Sequence, residues 1–108
     1  MFILLMLHMF ATAQSKKSFL IKGSIKSVPE NAQVLLLGFN GTDTIATSTV
    51  QQGSFTLSGT VNNTDARIIL FPSLQRRLVL FMGNDTISIS GNSENDIEIT
   101  GSKSNLDY

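Results

Sequence analysis

Carboxylates are the side chains in this sequence with the clearest capacity for chemistry. Two carboxylates with unlike pKa values, placed across a cleft, can carry out general acid–base catalysis. Most of the acidic residues fall in predicted turns, where Asp suits the local backbone geometry. Their spacing assembles no catalytic constellation, so we expect that the chain is not an enzyme. The acidic residues considered are Glu30, Asp43, Asp65, Asp85, Glu94, Asp96 and Glu98.

Sulfur and imidazole chemistry is limited by composition. The chain has no Cys, and its one His, His8, lies in an apolar N-terminal run. The lack of Cys excludes disulfides, thiol redox chemistry, thiolate metal sites and a lipid-anchored N-terminal Cys. Without His after position 8, His-based metal sites and catalytic triads are excluded from the rest of the chain. We therefore predict no catalytic residue, no metal ligand and no cofactor.

Two further motifs have a functional and a purely structural interpretation. The run Asn92-Ser93-Glu94-Asn95-Asp96 offers oxygens to Ca²⁺ but lacks the full EF-hand pattern, so a solvated loop is favoured. Three Asn-x-Thr triplets match the N-glycosylation acceptor pattern, but all three fall at predicted turns, where Asn and Thr are common. The triplets begin at Asn40, Asn62 and Asn84.

Length and charge narrow the class of protein. A chain of 108 residues is enough for one domain, and 42% apolar with 15% charged residues suits a globular fold. Eight basic and eight acidic residues cancel, so we predict no nucleic-acid partner. The short basic spots Lys16-Lys17 and Arg76-Arg77 fit solvated strand ends.

The N-terminus is typical of an export signal. Residues 1–10 are nearly all apolar, and Ala11-Thr12-Ala13 gives an A-x-A cleavage pattern, so we predict a signal peptide over residues 1–13. The run is too short to span a bilayer. No Lys or Arg precedes Phe2, which leaves open a start upstream of Met1. A buried N-terminal strand or helix is the alternative interpretation.

Residues 14–102 show the pattern of an all-β domain. Apolar and polar residues alternate in short runs separated by turn signals, and no stretch has a helical period. The spacing predicts a single antiparallel β-sandwich of about seven or eight short strands. The predicted strands cover residues 19–26, 33–39, 44–50, 54–61, 66–71, 77–82, 86–90 and 96–100.

Two turns stand out by their residue types. Gln51-Gln52-Gly53 predicts a tight turn joining two strands as a hairpin, with a positive φ at Gly53. Asn40-Gly41 predicts a type I′ hairpin turn.

Some strands carry apolar residues on both faces. These are residues 34–39, 68–71 and 78–82, whereas only the inner face of an ordinary sandwich must be apolar. Loops of the chain, a second copy or a partner domain could cover these outer faces, and we expect a partner or a second copy to pack there. Elsewhere the outer positions are Ser and Thr (Thr47, Thr49, Thr56, Ser58 and Thr60). They allow a carbohydrate- or peptide-binding module as the alternative, although such residues are more often simply the solvent side of an antiparallel sheet.

Spaced glycines and alternating strands also carry a family resemblance. The motifs are the opening Phe19-Leu20-Ile21-Lys22-Gly23-Ser24-Ile25, the run Val34-Leu35-Leu36-Leu37, Asp43-Thr44, Gly53-Ser54-Phe55-Thr56-Leu57-Ser58-Gly59, Asn84-Asp85-Thr86-Ile87-Ser88-Ile89-Ser90-Gly91 and Gly101-Ser102-Lys103-Ser104-Asn105. In order and spacing they resemble the N-terminal β-rich domain of unknown function of exported thioredoxin-like proteins of the Bacteroidetes. That group comprises the thiol-disulfide interchange and alkyl-hydroperoxide-reductase/thiol-specific-antioxidant-like proteins.

The resemblance implies a place and a partner. It implies export to the periplasm or cell envelope of a Gram-negative bacterium and a thioredoxin-like partner domain. In that family a helical linker and a domain with Cys-x-x-Cys follow, whereas residues 103–108 here match only the start of a truncated linker. With no Cys in the chain, the redox activity does not carry over. The sequence thus predicts a non-catalytic exported accessory or docking domain.

Overall fold

A computed structural model describes residues 18–93 and 96–101 of the chain. These residues form eight strands and a short 3₁₀ helix, Pro72–Leu74. The strands are β1 (Phe19–Ile25), β2 (Gln33–Gly38), β3 (Thr44–Thr49), β4 (Ser54–Gly59), β5 (Asp65–Phe71), β6 (Arg76–Met82), β7 (Thr86–Ser93) and β8 (Asp96–Thr100). The predicted signal peptide and truncated linker lie outside the described residues.

The strands form two sheets of four, which confirms the predicted all-β sandwich. The first sheet has the order β4-β1-β7-β8 and the second sheet the order β3-β2-β5-β6. Alternation places one set of side chains from each sheet in a shared core. Phe55 of the first sheet meets Phe71 of the second edge-to-face, with ring centroids 5.7 Å apart. Other core residues include Phe19, Ile21, Leu57, Ile87, Val34, Leu36, Ile69, Leu80 and Met82.

One strand pair departs from the antiparallel pattern. β1 and β7 run parallel, in register from Leu20 opposite Thr86 to Ile25 opposite Gly91. Parallel neighbours require a long crossover connection, which is usually helical. In this chain the crossover includes the whole second sheet, since β2, β3, β5 and β6 all lie between β1 and β7 in sequence.

The turn at Gln52-Gly53 has the predicted backbone shape but does not close a hairpin. Gln52 has φ 56° and Gly53 has φ 78°, the two positive values of a type I′ turn. The N–H of Gln51 donates to the Ser54 carbonyl at 2.8 Å, and the reverse bond is 3.0 Å long. Beyond this bridge the predicted pairing is wrong, because β3 joins the second sheet and β4 the first.

The turn at Asn40-Gly41 shows the opposite result. β2 and β3 do pair as a hairpin, but the predicted type I′ turn is wrong. Only Gly41 of this pair has a positive φ, at 80°. The loop is longer than two residues: Gly41 donates to the Gly38 carbonyl at 2.8 Å, and Gly38 donates to the Asp43 carbonyl at 2.9 Å. The pairing also shifts register between Leu36 and Leu37.

Candidate docking face

The outer face of the first sheet is polar. β1 contributes Lys22 and Ser24, and each lies between hydroxyl side chains of β4 and β7. A sheet that covers a core with one face commonly presents such a polar face to water. Its exposed residues include Lys22, Ser24, Ser54, Thr56, Ser58, Thr86, Ser88, Ser90, Asp96, Glu98 and Thr100.

The outer face of the second sheet is apolar. Opposed residues of neighbouring strands share a face, and here Leu35 lies opposite Leu70 and Leu37 opposite Ile68. We call this surface the apolar face and define it as Leu35, Leu37, Ala66, Ile68, Leu70, Val79 and Phe81. Leu37 and Ile68 are buried, although they lie outside the hydrophobic cluster between the sheets.

The edge of the apolar face is open to solvent. Val79 is 60% exposed and Phe81 41% exposed, and Phe39, just after β2, is 61% exposed. All the exposed large hydrophobic residues among those described thus belong to or follow strands of the second sheet. The border is polar, with Thr47 opposite Leu35 and Arg77 opposite Leu70. An apolar patch with a polar rim is the composition of a protein-binding site.

The acidic residues are spread along the chain, and three of them accept hydrogen bonds from backbone N–H groups. Glu30 accepts a hydrogen bond from the Gln52 N–H at 2.7 Å and Asp85 one from the Gly83 N–H at 2.9 Å. Asp65 accepts the Ala66 N–H at 2.8 Å. Within residues 18–93 and 96–101, no three His, Cys, Asp or Glu side chains are grouped to hold a metal ion.

The predicted calcium loop is described only in part. Glu94 and Asn95 lie outside the described residues. Asn92 Nδ2 donates to Asp96 Oδ2 at 3.3 Å, so within the described part a carboxylate oxygen already has an amide partner.

Comparison with known families matches this chain over residues 19–108 to the family described as "Domain of unknown function (DUF4369)". The chain belongs to this family. The match includes every strand of both sheets, so the domain-of-unknown-function part of the resemblance is confirmed. No curated protein and no solved structure matches the chain significantly. The link to exported thioredoxin-like proteins stays a prediction.

The DUF4369 domain also contains a buried arginine that the sequence analysis missed. Arg67 on β5 is 8% exposed. Its Nη1 donates to the carbonyls of Met82 at 2.6 Å and Asn63 at 3.1 Å, and Nη2 donates to Asn63 Oδ1 at 3.0 Å. The Arg67 side chain therefore links the loop before β5 to the end of β6 by hydrogen bonds. The signal was its parity with the core residues Ile69 and Phe71, which places it on the inner side.

Asn84 is a second residue of the domain with an unpredicted role. Its Oδ1 accepts the Val61 N–H and its Nδ2 donates to the Val61 carbonyl, both at 2.9 Å. The side chain thus replaces a strand neighbour for Val61. Because its amide nitrogen is engaged, the structural interpretation of the Asn84 triplet is favoured over glycosylation. Nothing local in the sequence indicates this contact, since the two residues meet only in the folded chain.

Two open depressions lie on the domain surface. One, of about 670 Å³, lies where residues 29–33 approach Pro72 and Ser73. The other, of about 360 Å³, crosses the polar face near Lys22 and is lined largely by hydroxyls. Phe55 also lines this depression, but the residue is buried and its ring packs edge-to-face on Phe71, so it is not exposed to stack on a sugar. No helix in the described residues is long and apolar enough to cross a membrane.

Proposed function

We propose that this DUF4369 domain is a non-catalytic, exported docking domain that binds a partner protein through the apolar face. One observation carries the proposal: the second sheet has apolar side chains on both sides, whereas the outer side of the first sheet is polar. A sandwich core needs only the inner side of each sheet to be apolar.

The exposed part of the apolar face is where a partner would remove most apolar surface from water. Covering apolar surface stabilises a complex by about 25 cal/mol per Å² removed from water. Val79, Phe81 and Phe39 are exposed in the single domain and gain most from a partner. Leu37 and Ile68 are already buried in the single domain, so covering the face removes little more of their surface from water. Polar Thr47 and Arg77 at its border then set the limits of the contact.

The sequence resemblance to exported thioredoxin-like proteins supports one class of partner. We propose that the partner is a thioredoxin-like domain, which would contain the redox chemistry that a chain without Cys lacks. In this arrangement the β-sandwich positions its partner and takes no part in bond breaking. The hydrogen bonds of Glu30, Asp65 and Asp85 to backbone N–H groups support a structural role for these carboxylates.

Export to the cell envelope is part of the same proposal. It is supported by the apolar run of residues 1–10 and the Ala11-Thr12-Ala13 pattern. N-terminal sequencing of the protein accumulated in a Gram-negative host is expected to begin at Gln14. A chain that retains Met1 and stays in the cytoplasm would disprove export.

The docking face is tested by replacing its exposed side chains. The variant Phe39→Ser/Val79→Thr/Phe81→Thr is expected to bind an apolar dye such as anilinonaphthalene sulfonate several-fold more weakly than the parent protein. Phe39 and Val79 are mostly exposed, and such surface changes alter the free energy of unfolding by about 0.5 kcal/mol or less each. Phe81 is more than half buried, so its replacement costs more, and urea unfolding of the variant checks that the fold is retained. Thr56→Ser/Ser58→Thr on the polar face is the control and should leave dye binding unchanged. A parent protein that binds no dye would overturn the docking proposal.

A further inference from the structure

The four edge strands of the sandwich differ in how they are protected. β3 and β8 each have a register shift in their pairing, which interrupts a regular edge. β4 presents Ser54, Thr56 and Ser58 outward. β6 has neither feature: its seven residues pair with β5 without a shift, and its outward residues include Val79 and Phe81. Natural edges are commonly protected by charged residues, Pro or a bulge, but the charge of β6 is confined to its start, at Arg76 and Arg77, and neither Pro nor a bulge interrupts residues 78–82.

We propose that a second copy of this chain pairs with β6 along the edge that no other described strand occupies, antiparallel and about a two-fold axis at Val79. This inference rests on the proposed function, since it names one partner of the docking domain and extends its face. A two-fold axis perpendicular to the sheet keeps the apolar faces of both copies on the same side. The two second sheets then become one eight-stranded sheet, and their apolar faces become one continuous surface.

The register follows from the length and charge of the strand. Val79 is the middle residue of Arg76–Met82, so an axis there opposes all seven residues of the two strands. It also places Arg77 of each copy opposite Phe81 of the other, where a guanidinium can lie on an aromatic ring. Moving the axis to Leu78 would leave part of the strand unpaired and bring the two Arg77 side chains to diagonal positions, where like charges repel.

A second copy explains the combination of features better than an unrelated strand does. The basic end and the apolar end of β6 complement each other only when the neighbouring strand is antiparallel and has the same order of residues. One strand pair buries a small interface, so we expect a dimer that forms and dissociates with concentration.

Disulfide trapping at position 79 tests the register directly, because the natural chain has no Cys. Opposed residues of an antiparallel pair have Cα atoms about 4.5–5.5 Å apart. A disulfide spans Cα separations of about 4.4–6.8 Å. With the whole chain expressed and the accumulated protein purified and mildly oxidised, Val79→Cys is expected to form a covalent dimer. Phe81→Cys is the matched control, since the axis at Val79 keeps the two copies of residue 81 about 13 Å apart along the strands.

A charge-swap experiment gives an independent test on the same position. In sedimentation equilibrium the parent protein is expected to double its mass as its concentration rises. Val79→Lys and Val79→Glu should each remain monomeric, and an equal mixture of the two should dimerise again, because only residue 79 faces itself. A parent protein that stays monomeric, or a covalent dimer as abundant from Phe81→Cys as from Val79→Cys, would overturn the pairing. A monomer that still binds the apolar dye would leave the docking function standing, whereas the absence of dye binding would remove that function.

Discussion

At the scale of single residues, the first sheet depends on the absence of a side chain at Gly23. Gly23 on β1 lies opposite Phe55 on β4, and a Cβ at Gly23 would overlap the Phe55 ring. The ring is held from the other side by its edge-to-face contact with Phe71. Phe55 thus fills the space that the glycine leaves and joins β1, β4 and the second sheet.

Gly23→Ala is therefore expected to destabilise the fold. Overpacking of a filled core costs about 1–3 kcal/mol, because the Phe55 ring must leave its position. Urea unfolding of the two proteins measures the difference. Gly23→Ala/Phe55→Leu tests the cause. With the smaller Leu at position 55, adding Gly23→Ala should cost less stability than it costs in the parent protein. Equal losses in both backgrounds would show that the ring is not responsible.

Asn84 gives a second prediction at the residue scale. Val61 is buried, and the Asn84 side chain accepts its N–H and donates to its carbonyl. Asn84→Ala leaves both backbone groups without this partner, and we expect a loss of about 2 kcal/mol in the free energy of unfolding. Asn84→Asp retains the acceptor but sets a carboxylate oxygen against the Val61 carbonyl, so it should not restore the stability of the parent. If Asn84→Ala is as stable as the parent, water replaces the side chain fully.

At the scale of elements, turn residues determine the local backbone but not the strand that follows. Gln52 and Gly53 have the two positive φ angles of a tight hairpin turn, yet the chain uses this turn to pass from the second sheet to the first. Glu30 and Asn31 of the β1–β2 loop contribute to this: Glu30 accepts the Gln52 N–H, and Asn31 donates to the Val50 carbonyl. These contacts hold the turn to a distant loop.

Gly53→Ala tests the need for a left-handed backbone at this turn. With φ 78° at residue 53, a side chain is expected to cost about 1–2 kcal/mol. Thermal or urea unfolding measures the change in the free energy of unfolding. Gly38→Ala is the comparison, because Gly38 has no positive φ and its added Cβ would meet only ordinary contacts. A larger loss from Gly38→Ala than from Gly53→Ala would contradict this account of the turn.

The same elements show what sequence reasoning can predict. Alternation placed β8 at its observed bounds and β1 within one residue of its observed end, because each strand has one face in the core and its period of two is local information. The parallel partner of β1 is not local information, since Leu20 pairs with Thr86 across most of the chain. The contacts of Arg67 and Asn84 likewise depend on loops that meet only after folding. The two-sided apolar strands of the second sheet were visible in the sequence, but which outer residues remain exposed was not.

At the scale of the whole molecule, the two sheets present different outer surfaces. The first sheet presents hydroxyls and charges to solvent, and the second presents the apolar face. The core between them fixes the relative position of both surfaces, so a partner on the apolar face meets a rigid support. The proposed pairing at β6 enlarges that same surface without using the polar side.

Chemical-shift mapping of the isotope-labelled domain tests this central claim most directly. The probe is an exported thioredoxin-like domain from the same organism, added in steps to the labelled protein. We expect amide shifts concentrated on β2, β5 and β6 around Leu35, Leu70 and Val79, and we expect Phe39→Ser/Val79→Thr/Phe81→Thr to weaken them. Shifts confined to the polar face around Lys22, or no shifts at all, would contradict docking of a thioredoxin-like partner on the apolar face.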